Sequence, residues 1–288
     1  MKECSYYQRL DEGRVECQLC PHHCRIANGK TGICRSRRNH DGMLVSEVYG
    51  KPCSLAIDPV EKKPLYHFHP GTKCLSIACT GCNFRCLNCQ NHEISQVTPT
   101  DISHYSLSPE QVVSLCMEHR CPGIAYTYTE PLTYIEYVTD CVRQAHDAGL
   151  WNILVTAGYV CPQPLADLLP YLDAANIDLK SFSDDIYQRV SGGRLSVVLD
   201  TILAMRDAGV WIELTNLIIP TVNDDMEMIR RMCRWMTDNG LAAVPLHFRR
   251  FFPRYRMQDI PPTPLHTLHA AKRIALEEGL QHVYLGNI

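Results

Sequence analysis

Residues 75–89 read LSIACTGCNFRCLNC, a short apolar run followed by three closely spaced cysteines. The run Leu75–Ala78 is a candidate strand, and Cys82, Cys86 and Cys89 follow it with the spacing C-x3-C-x2-C. Three thiolates in so short a segment can surround one metal cluster, and a cubane held by only three cysteines leaves one iron open to a further ligand. The stretch therefore predicts an iron–sulfur centre that binds another molecule at the end of a strand.

Zinc is the alternative metal for this loop. A structural zinc site is closed by four ligands, so a residue such as His92 would have to complete it. The chain as a whole contains 16 cysteines, and its first residues, MKECSYYQRLDEGR, lack the apolar core of a signal peptide. We therefore expect a cytoplasmic protein, in which clustered cysteines are reduced and indicate metal ligands rather than disulfides.

The overall composition narrows the class of protein. A net charge of −3 in 288 residues gives no general attraction to nucleic acid or to an anionic membrane surface. No segment reaches the roughly 18 consecutive apolar residues of a transmembrane helix. The length fits one large domain, or one domain with an appendage. We divide the chain into a loop-rich, cysteine-rich N-terminal module, residues 1–73, and a second unit, residues 74–288.

Beyond the cysteine loop, short β-branched runs alternate with helical patterns. The candidate strands are Leu75–Ala78, Ile124–Thr129, Asn152–Ala157, Ala175–Lys180, Ile212–Ile219 and Val244–Phe248. The candidate helices are Pro109–His119, Leu132–Ala148, Pro164–Tyr171, Leu195–Ala208, Met226–Asp238 and Leu265–Glu278. Six such units predict an α/β fold with a parallel sheet, either open and doubly wound or curved into a barrel. In both cases ligands bind at the carboxyl ends of the strands.

The last residues, Val283–Gly286, form a candidate seventh strand. The sequence stops two residues later without a polar tail, so we expect the natural protein to continue beyond Ile288.

The segment 80–91, TGCNFRCLNCQN, resembles the cluster loop of the radical S-adenosylmethionine (SAM) superfamily. Further segments narrow the resemblance to the radical SAM member of the AmmeMemoRadiSam system, a relative of pyruvate formate-lyase-activating enzymes. These segments are CQLCPHHC (17–24), GICR (32–35), DPVEKKPLYH (58–67), AYTYTEP (125–131) and VYLGN (283–287). The resemblance extends from about Cys17 to the C-terminus.

The resemblance implies a partial (β/α)6 barrel that carries a 4Fe–4S cluster on Cys82, Cys86 and Cys89. It also implies that the open iron binds the methionine part of SAM. An electron from a donor such as flavodoxin or ferredoxin then cleaves SAM to methionine and a 5′-deoxyadenosyl radical, which abstracts hydrogen from a substrate. The family does not identify that substrate. An aromatic residue usually precedes the third cysteine, but Asn88 stands there, so contacts of this loop with adenine are not expected.

Four residues are candidates for holding SAM. Glu130 resembles the glutamate of the superfamily's Gly-Gly-Glu motif, which binds the methionine ammonium, although Tyr128 and Thr129 replace the glycines. Asp178 and Lys180 are two apart on a predicted strand, so they share a face, and they resemble an activase motif near the SAM carboxylate and ribose. Thr156 matches the third strand of the same site. The alternatives are a helix-terminal acid for Glu130 and a structural ion pair for Asp178 and Lys180.

Three further candidates rest on position alone. Thr215 and Asn216 lie on the fifth predicted strand, and His247 lies on the sixth, where the activases have a histidine near the nucleoside. Val155 stands where the activases have an aspartate that binds a monovalent cation, so no such cation site is expected.

A second cysteine set lies in the N-terminal module. Cys17, Cys20, Cys24 and Cys34 have the spacing C-x2-C-x3-C-x9-C in a segment with few apolar residues. Four thiolates can close a zinc site or hold an auxiliary iron–sulfur cluster, and such a segment would depend on metal to become ordered. Free or buried thiols are the alternative.

Two other functions stay open from the sequence. The first is a glycyl-radical activase, whose substrate is a protein glycine. The second is a non-catalytic module that binds zinc or RNA. Residues 247–256, HFRRFFPRYR, interleave basic and aromatic side chains as nucleic-acid sites do. Solvated arginines around a phenylalanine-packed loop are the favoured explanation, because the chain has no overall basic excess.

Overall fold

In the computed structural model, which describes residues 2–288, the chain forms fourteen strands and eight α-helices. The strands are β1 (Lys2–Glu3), β2 (Tyr7–Arg9), β3 (Val15–Cys17), β4 (Arg25–Ile26), β5 (Arg37–His40), β6 (Met43–Ser46), β7 (Ser54–Pro59), β8 (Lys73–Ala78), β9 (Gly123–Tyr126), β10 (Trp151–Thr156), β11 (Ala174–Asp178), β12 (Trp211–Ile218), β13 (Leu246–Arg250) and β14 (Val283–Gly286). The helices are α1 (His92–Ser95), α2 (Pro109–Glu118), α3 (Ile135–Asp147), α4 (Pro162–Leu168), α5 (Asp184–Ile186), α6 (Leu195–Asp207), α7 (Met226–Asp238) and α8 (Leu265–Glu277).

Strands β7 to β14 make one eight-stranded sheet, and each strand lies beside its neighbour in the chain. All neighbouring pairs are parallel except β7 and β8, which are antiparallel. A doubly wound sheet would reverse its strand order part-way, whereas a barrel winds in one direction. The predicted α/β fold with a partial parallel barrel is therefore confirmed, and β14 is the predicted seventh parallel strand.

The helices begin and end where local chemistry predicts. Asp225 caps α7 by accepting hydrogen bonds from the amides of Glu227 and Met228, both at 3.2 Å. Gly240 ends the same segment with a φ of +71°, a left-handed conformation that glycine adopts without strain. The apolar face of α7 includes Ile229, Cys233 and Met236, which are buried.

The N-terminal segment is more ordered than its sequence predicted. It contains two three-stranded antiparallel sheets, in the orders β1-β6-β5 and β2-β3-β4. These strands have only two to four residues, too few for an alternating pattern to stand out. The next strand, β7, lies before the predicted boundary at residue 73 and yet belongs to the main sheet. The division into two units at that residue stays a prediction.

The segment that follows β7 closes the amino-terminal end of the barrel. The backbone amides of Tyr66 and His67 donate to the carboxylate of Glu213, at 2.9 and 2.8 Å, and Glu213 is fully buried in β12. His67 Nε2 lies 2.6 Å from the hydroxyl of Tyr284 on β14. The barrel interior at this end is therefore filled by a polar plug whose groups are paired.

The longest α-helices have 13 residues. Across the described residues, 2–288, we find no helix with the length and apolar character needed to cross a membrane.

Candidate active site

A cavity of about 570 Å³ opens at the carboxyl ends of the barrel strands. Its size is typical of a site for a small molecule or cofactor. The predicted site residues that line it are Cys82, Cys86, Cys89, Glu130, Thr156, Asp178, Lys180 and Thr215. They come from four different strands or strand ends, β9 to β12, and from the loop after β8. The cavity therefore gathers in one place groups that are up to 133 residues apart in the sequence.

The cysteine loop is held by backbone hydrogen bonds to the far side of the barrel. The amide of Arg85 donates to the carbonyl of Ser191 at 2.8 Å, and the amide of Leu87 donates to that of Val190 at 3.0 Å. Both acceptors belong to a short helical turn after α5. The loop after the first parallel strand is thus fixed to the turn after the fourth.

Phe84 anchors the same loop through packing. It is 1% exposed, and its ring lies against Tyr159 and Tyr187, with centroids 5.0 and 6.2 Å apart. Gly193 touches the other side of the ring, where a β-carbon would come within 2.3 Å of Phe84 Cε1. Only glycine fits there, so the close approach at residue 193 is part of what positions the cysteines.

Two of the three thiols, those of Cys82 and Cys86, lie in surroundings that disfavour their anionic form unless a cation binds. Burial raises the pKa of Cys82 well above its usual value, and the nearby carboxyl of Glu130 raises it further. Burial also raises the pKa of Cys86, although the charge of Lys180 opposes the shift. Thiols of this kind become thiolates when they ligate metal.

Glu130 is held firmly in the cavity wall. It is 1% exposed, and its carboxylate accepts from Thr156 Oγ1 at 2.6 Å, from the amide of Ala157 at 2.8 Å and from the amide of Leu132 at 3.2 Å. Burial raises its pKa, while these hydrogen bonds oppose that rise. Thr156 therefore positions Glu130. The bond from Leu132 is the helix-terminal role considered as the alternative, and the same carboxyl group both makes this bond and lines the cavity.

Tyr128 takes the backbone conformation that the usual glycine would provide. Its φ is +65°, in the left-handed region. Its hydroxyl donates to Asp58, and its ring lies 4.3 Å from the ammonium of Lys63. Asn91 donates to its carbonyl at 2.7 Å. The contacts with Asp58 and Lys63 thus fix the side chain of Tyr128, while its backbone borders the cavity as a glycine backbone would.

Asp178 and Lys180 meet at the edge of the cavity, with Lys180 Nζ 2.7 Å from Asp178 Oδ2. The strand β11 ends at Asp178, so Lys180 lies beyond it rather than on it as predicted. Burial acts to lower the pKa of Lys180, but the charge of Asp178 outweighs it and the pKa is raised. Lys180 is therefore cationic and partly exposed toward the cavity.

Two predicted residues do not reach the cavity. Asn216 lies on the opposite face of β12 from Thr215, and its amide donates to the carbonyl of Leu179 at 2.7 Å. His247 is 1% exposed and lies 2.7 Å from the carboxylate of Glu213, one layer deeper in the barrel than the cavity wall. The position of His247 is explained by the buried carboxylate, which needs a partner.

Sequence comparison identifies the fold family. A sequence model described as the radical SAM superfamily matches residues 76–233, more than half of the chain. The chain belongs to the radical SAM superfamily. The match spans the cysteine loop and five of the seven parallel strands.

The relatives of this radical SAM protein include an archaeal protein and several activating enzymes. It is 45% identical to the uncharacterized protein MJ0808 of Methanocaldococcus jannaschii, over all of this chain and 86% of that one. It is 23% identical to the pyruvate formate-lyase-activating enzyme of Clostridium pasteurianum, over 70% of this chain and 88% of the relative. The corresponding enzyme of Escherichia coli K12, pyruvate formate-lyase 1-activating enzyme, is 25% identical over 69% of this chain and 87% of its own. The predicted relationship to these enzymes is confirmed.

Solved structures show the same fold. SuiB of Streptococcus suis bound to SAM superimposes with a TM-score of 0.56 at 10% identity, over 72% of this chain and 48% of SuiB. The hydrogenase maturase HydG of Carboxydothermus hydrogenoformans gives a TM-score of 0.52 at 13% identity, over 71% of this chain and 50% of HydG. Membership in the radical SAM superfamily implies an enzyme that uses a 4Fe–4S cluster and SAM, which speaks against a non-catalytic zinc or RNA module.

The residues of this radical SAM protein fit such a cluster. Three cysteine thiols border one cavity, and Ser95 Oγ lies 3.2 Å from Cys89 Sγ. The amide of Phe84 donates to Cys82 Sγ at 3.3 Å, as amides do toward ligated sulfur. Three cysteine ligands are what a cubane with one open iron requires.

The sequence did not single out several cavity residues. Arg249 lines the cavity, and its guanidinium donates to the side chain of Asn287 at 2.8 Å. An apolar wall comes from Val190, Ile219 and Val222. Arg249 is two residues from His247 on β13, so strand alternation was the signal that places it on the inner face. No comparable sequence pattern marks the apolar wall, because Val190 lies in the turn after α5, whereas Ile219 and Val222 lie in the loop after β12.

Proposed function

We propose that this protein reductively cleaves SAM and uses the resulting radical to abstract hydrogen from a substrate. Cys82, Cys86 and Cys89 would hold the 4Fe–4S cluster. That cluster, when bound, supplies the electron that splits SAM into methionine and the 5′-deoxyadenosyl radical. The proposal is supported above all by one observation, namely that the three thiols border the same cavity as Glu130 and Lys180.

The chain's own residues would divide the binding of SAM between them. Glu130 would accept hydrogen bonds from the methionine ammonium, with Thr156 keeping its carboxylate in position. Lys180 would pair with the methionine carboxylate and Asp178 with the ribose hydroxyls. The apolar wall of Val190 and Ile219 offers the adenine a surface from which water is excluded. Asn216 and His247 have no part in this assignment.

The electron would come from a protein donor such as flavodoxin or ferredoxin. All 16 cysteines lie outside disulfides in the described residues, and a thiol-rich enzyme of this kind requires a reducing compartment. We therefore propose a cytoplasmic location.

A second candidate, a glycyl-radical activase, is favoured by the two activating enzymes that match about 70% of this chain. Its substrate would be a glycine in a partner protein. Deuterium transfer distinguishes the possibilities, because label from the true substrate appears in 5′-deoxyadenosine. Label from a glycine-deuterated protein supports the activase, and label from a small molecule contradicts it. A reconstituted, reduced protein that forms no 5′-deoxyadenosine from SAM contradicts the whole proposal.

Loss of one charged partner should weaken SAM binding while the cluster stays in place. We expect Lys180→Met and Glu130→Gln each to lower SAM affinity about tenfold or more, since a hydrogen bond to a charged group contributes about 1.5–3 kcal/mol and a decade of affinity corresponds to about 1.4 kcal/mol. Titration calorimetry of the reconstituted protein measures the affinity. We prefer glutamine to alanine at residue 130 because alanine would leave three buried donors unpaired.

Lys2→Met is the matched control. Lys2 Nζ lies 3.0 Å from Asp140 Oδ2, so the substitution also removes a lysine–aspartate pair, but one that lies away from the cavity. Its SAM affinity should equal that of the wild type, and all variants should keep their iron. Unchanged affinity in both Lys180→Met and Glu130→Gln would remove these residues from the SAM site.

For His247 we predict an effect on stability and none on SAM affinity. His247→Asn should lower the free energy of unfolding by about 1.5–3 kcal/mol, since it removes a hydrogen bond to the buried carboxylate of Glu213. SAM affinity should not change. Denaturant unfolding and calorimetry on the same sample test both halves, and a large loss of affinity in a stably folded variant would return His247 to the site.

A further inference from the structure

The N-terminal segment has a cavity of its own, between its small sheets and the barrel. Its lining includes Cys17, Cys20, Cys24 and Cys34, together with Arg37 and Asn83. The SAM site proposed above does not use any of these four cysteines. They meet although Cys34 is ten residues from the nearest of the others in sequence.

Two tight turns bring the four sulfurs together. The amide of Cys17 donates to the carbonyl of Cys24 at 3.0 Å, which closes a loop around Cys20. The second turn contains Gly32, whose amide donates to the carbonyl of Arg37 at 3.0 Å and thereby closes a loop around Cys34. A β-carbon on Gly32 would lie 3.6 Å from Cys24 Sγ, so the two turns are in contact. The chain is therefore folded so that all four thiols face one space.

A buried cation faces the same space. Arg37 is 1% exposed and pairs with Glu136, at 2.9 Å between Nη2 and Oε1. Its Nε and Nη1 have no hydrogen-bond partner anywhere in residues 2–288. Buried donors without acceptors are costly. A metal centre on four thiolates would supply both sulfur acceptors and negative charge, because four thiolate charges exceed those of a divalent ion or a cubane core.

The four cysteines line one cavity, but they are not placed as the ligands of a single ion would be. Four ligands of one zinc ion at about 2.3 Å would lie roughly 3.8 Å apart. Among the residues that the structure describes, no three side chains of His, Cys, Asp and Glu converge closely enough to hold a single ion. The same holds for the loop of Cys82, Cys86 and Cys89, whose family binds a cubane. Neither cysteine set is therefore arranged as a closed site for a single ion.

The two cysteine sets flank one short stretch of chain. Asn83, which lines the N-terminal cavity, follows Cys82 directly. Gly81, which precedes Cys82, has a φ of +105°, and a β-carbon there would lie 2.3 Å from the carbonyl oxygen of Cys34. His22 Nε2 lies 2.9 Å from the carbonyl oxygen of Asn83. The N-terminal cavity is therefore packed directly against the loop that carries Cys82.

From the shared cavity, the unpartnered donors of Arg37 and the lack of a site for a single ion, we infer that Cys17, Cys20, Cys24 and Cys34 hold a second iron–sulfur cluster. The inference goes beyond the proposed function, since SAM cleavage requires only the cluster on the other three cysteines.

Metal analysis of the anaerobically reconstituted full chain tests the inference. We expect about eight irons in the wild type and about four in the triple variant Cys82→Ala, Cys86→Ala, Cys89→Ala, because each cubane contributes four. About one zinc in the triple variant would overturn the inference, and so would a folded triple variant without metal. In either case the wild type could still cleave SAM, so failure here is distinct from failure of the proposed function.

A single substitution in the N-terminal module provides a second test that is less prone to misfolding than a multiple substitution. Cys24 is the half-buried member of the set, and in the background of the triple variant Cys24→Ser should leave three or fewer irons per chain. Cys161 is also half-buried but lies outside both cavities, so Cys161→Ala in the same background should leave about four irons per chain.

In the reduced wild type the neighbouring clusters should broaden each other's electron paramagnetic resonance signals. Cys24→Ser without loss of iron, or two signals without mutual broadening, would contradict the inference.

Discussion

Replacing Cys82, Cys86 and Cys89 together with alanine should reduce SAM cleavage to an undetectable level. The three thiols are the groups at the cavity that can ligate a cubane with one open iron, and without that iron SAM has no source of the electron it needs. We expect no 5′-deoxyadenosine above background by liquid chromatography after incubation with dithionite and SAM. The iron content should fall by about four per chain in parallel.

The control for this prediction is Cys161→Ala. Cys161 is similarly half-buried but lies at the start of α4, and it lines neither cavity. Its variant should cleave SAM at the wild-type rate and keep all of its iron. Continued cleavage by the triple variant would show that the cluster is not on these cysteines, whatever the behaviour of the control.

The largest effect on stability should come from Asp58→Asn, with a loss of about 3–5 kcal/mol in the free energy of unfolding. Asp58 pairs with Lys63 at 2.6 Å, and Lys63 is 1% exposed. Removing the carboxylate leaves a buried ammonium without its counter-charge. The hydroxyl of Tyr128 also loses a charged acceptor. Urea unfolding monitored by circular dichroism gives the change, at an unchanged m value.

Asp185→Asn is the matched control for Asp58→Asn. Asp185 pairs with Arg189 at 2.9 Å, but both side chains are more than 60% exposed, so its loss should change stability by at most about 1 kcal/mol. Equal effects at the two positions would show that the pair of Asp58 and Lys63 does not stabilise the fold as its burial suggests.

The pair of Asp58 and Lys63 also determines how the free energy of unfolding changes with pH. Burial acts to raise the pKa of Asp58, but hydrogen bonds from Lys62 and Lys63 outweigh it, and the pKa lies below its usual range. A carboxyl whose pKa is lower in the folded state stabilises the fold above its unfolded pKa, which is about 3.9. That contribution is lost as the pH falls through the folded value. The Asp58→Asn variant should therefore lose less stability than the wild type on acidification below about pH 4.

Local patterns were enough to predict the alternating strands and helices and the cysteine loop, whereas the choice of a barrel over an open sheet came from the resemblance to the radical SAM superfamily. Strand and helix periods are properties of short segments, and the spacing of Cys82, Cys86 and Cys89 is contained in one loop. The depth of a strand residue in the barrel cannot be predicted from such local patterns. His247 and Arg249 lie on the same face of β13, yet only Arg249 lines the cavity. Sequence alternation gives the face but not the layer, which depends on Glu213 from the neighbouring strand.

The N-terminal segment shows a second limit of sequence reasoning. The cysteine spacing predicted that Cys17, Cys20, Cys24 and Cys34 act together, and all four line one cavity. The role of Arg37 could not be predicted, because its buried partner Glu136 is 99 residues away. An arginine in a loop-rich segment gives no sign of burial until the element that covers it is known.

The plug beneath Glu213 has a consequence for the order of events during turnover. With the amino-terminal end filled by Tyr66 and His67, molecules reach and leave the cavity through the opening at the other end. A substrate seated at that opening would cover whatever lies below it. If SAM binds in this cavity as proposed, it would enter before the substrate, and the methionine and nucleoside left after a turnover would leave after the substrate. Such an order of binding would shield a radical in the cavity from solvent for as long as the substrate remains bound.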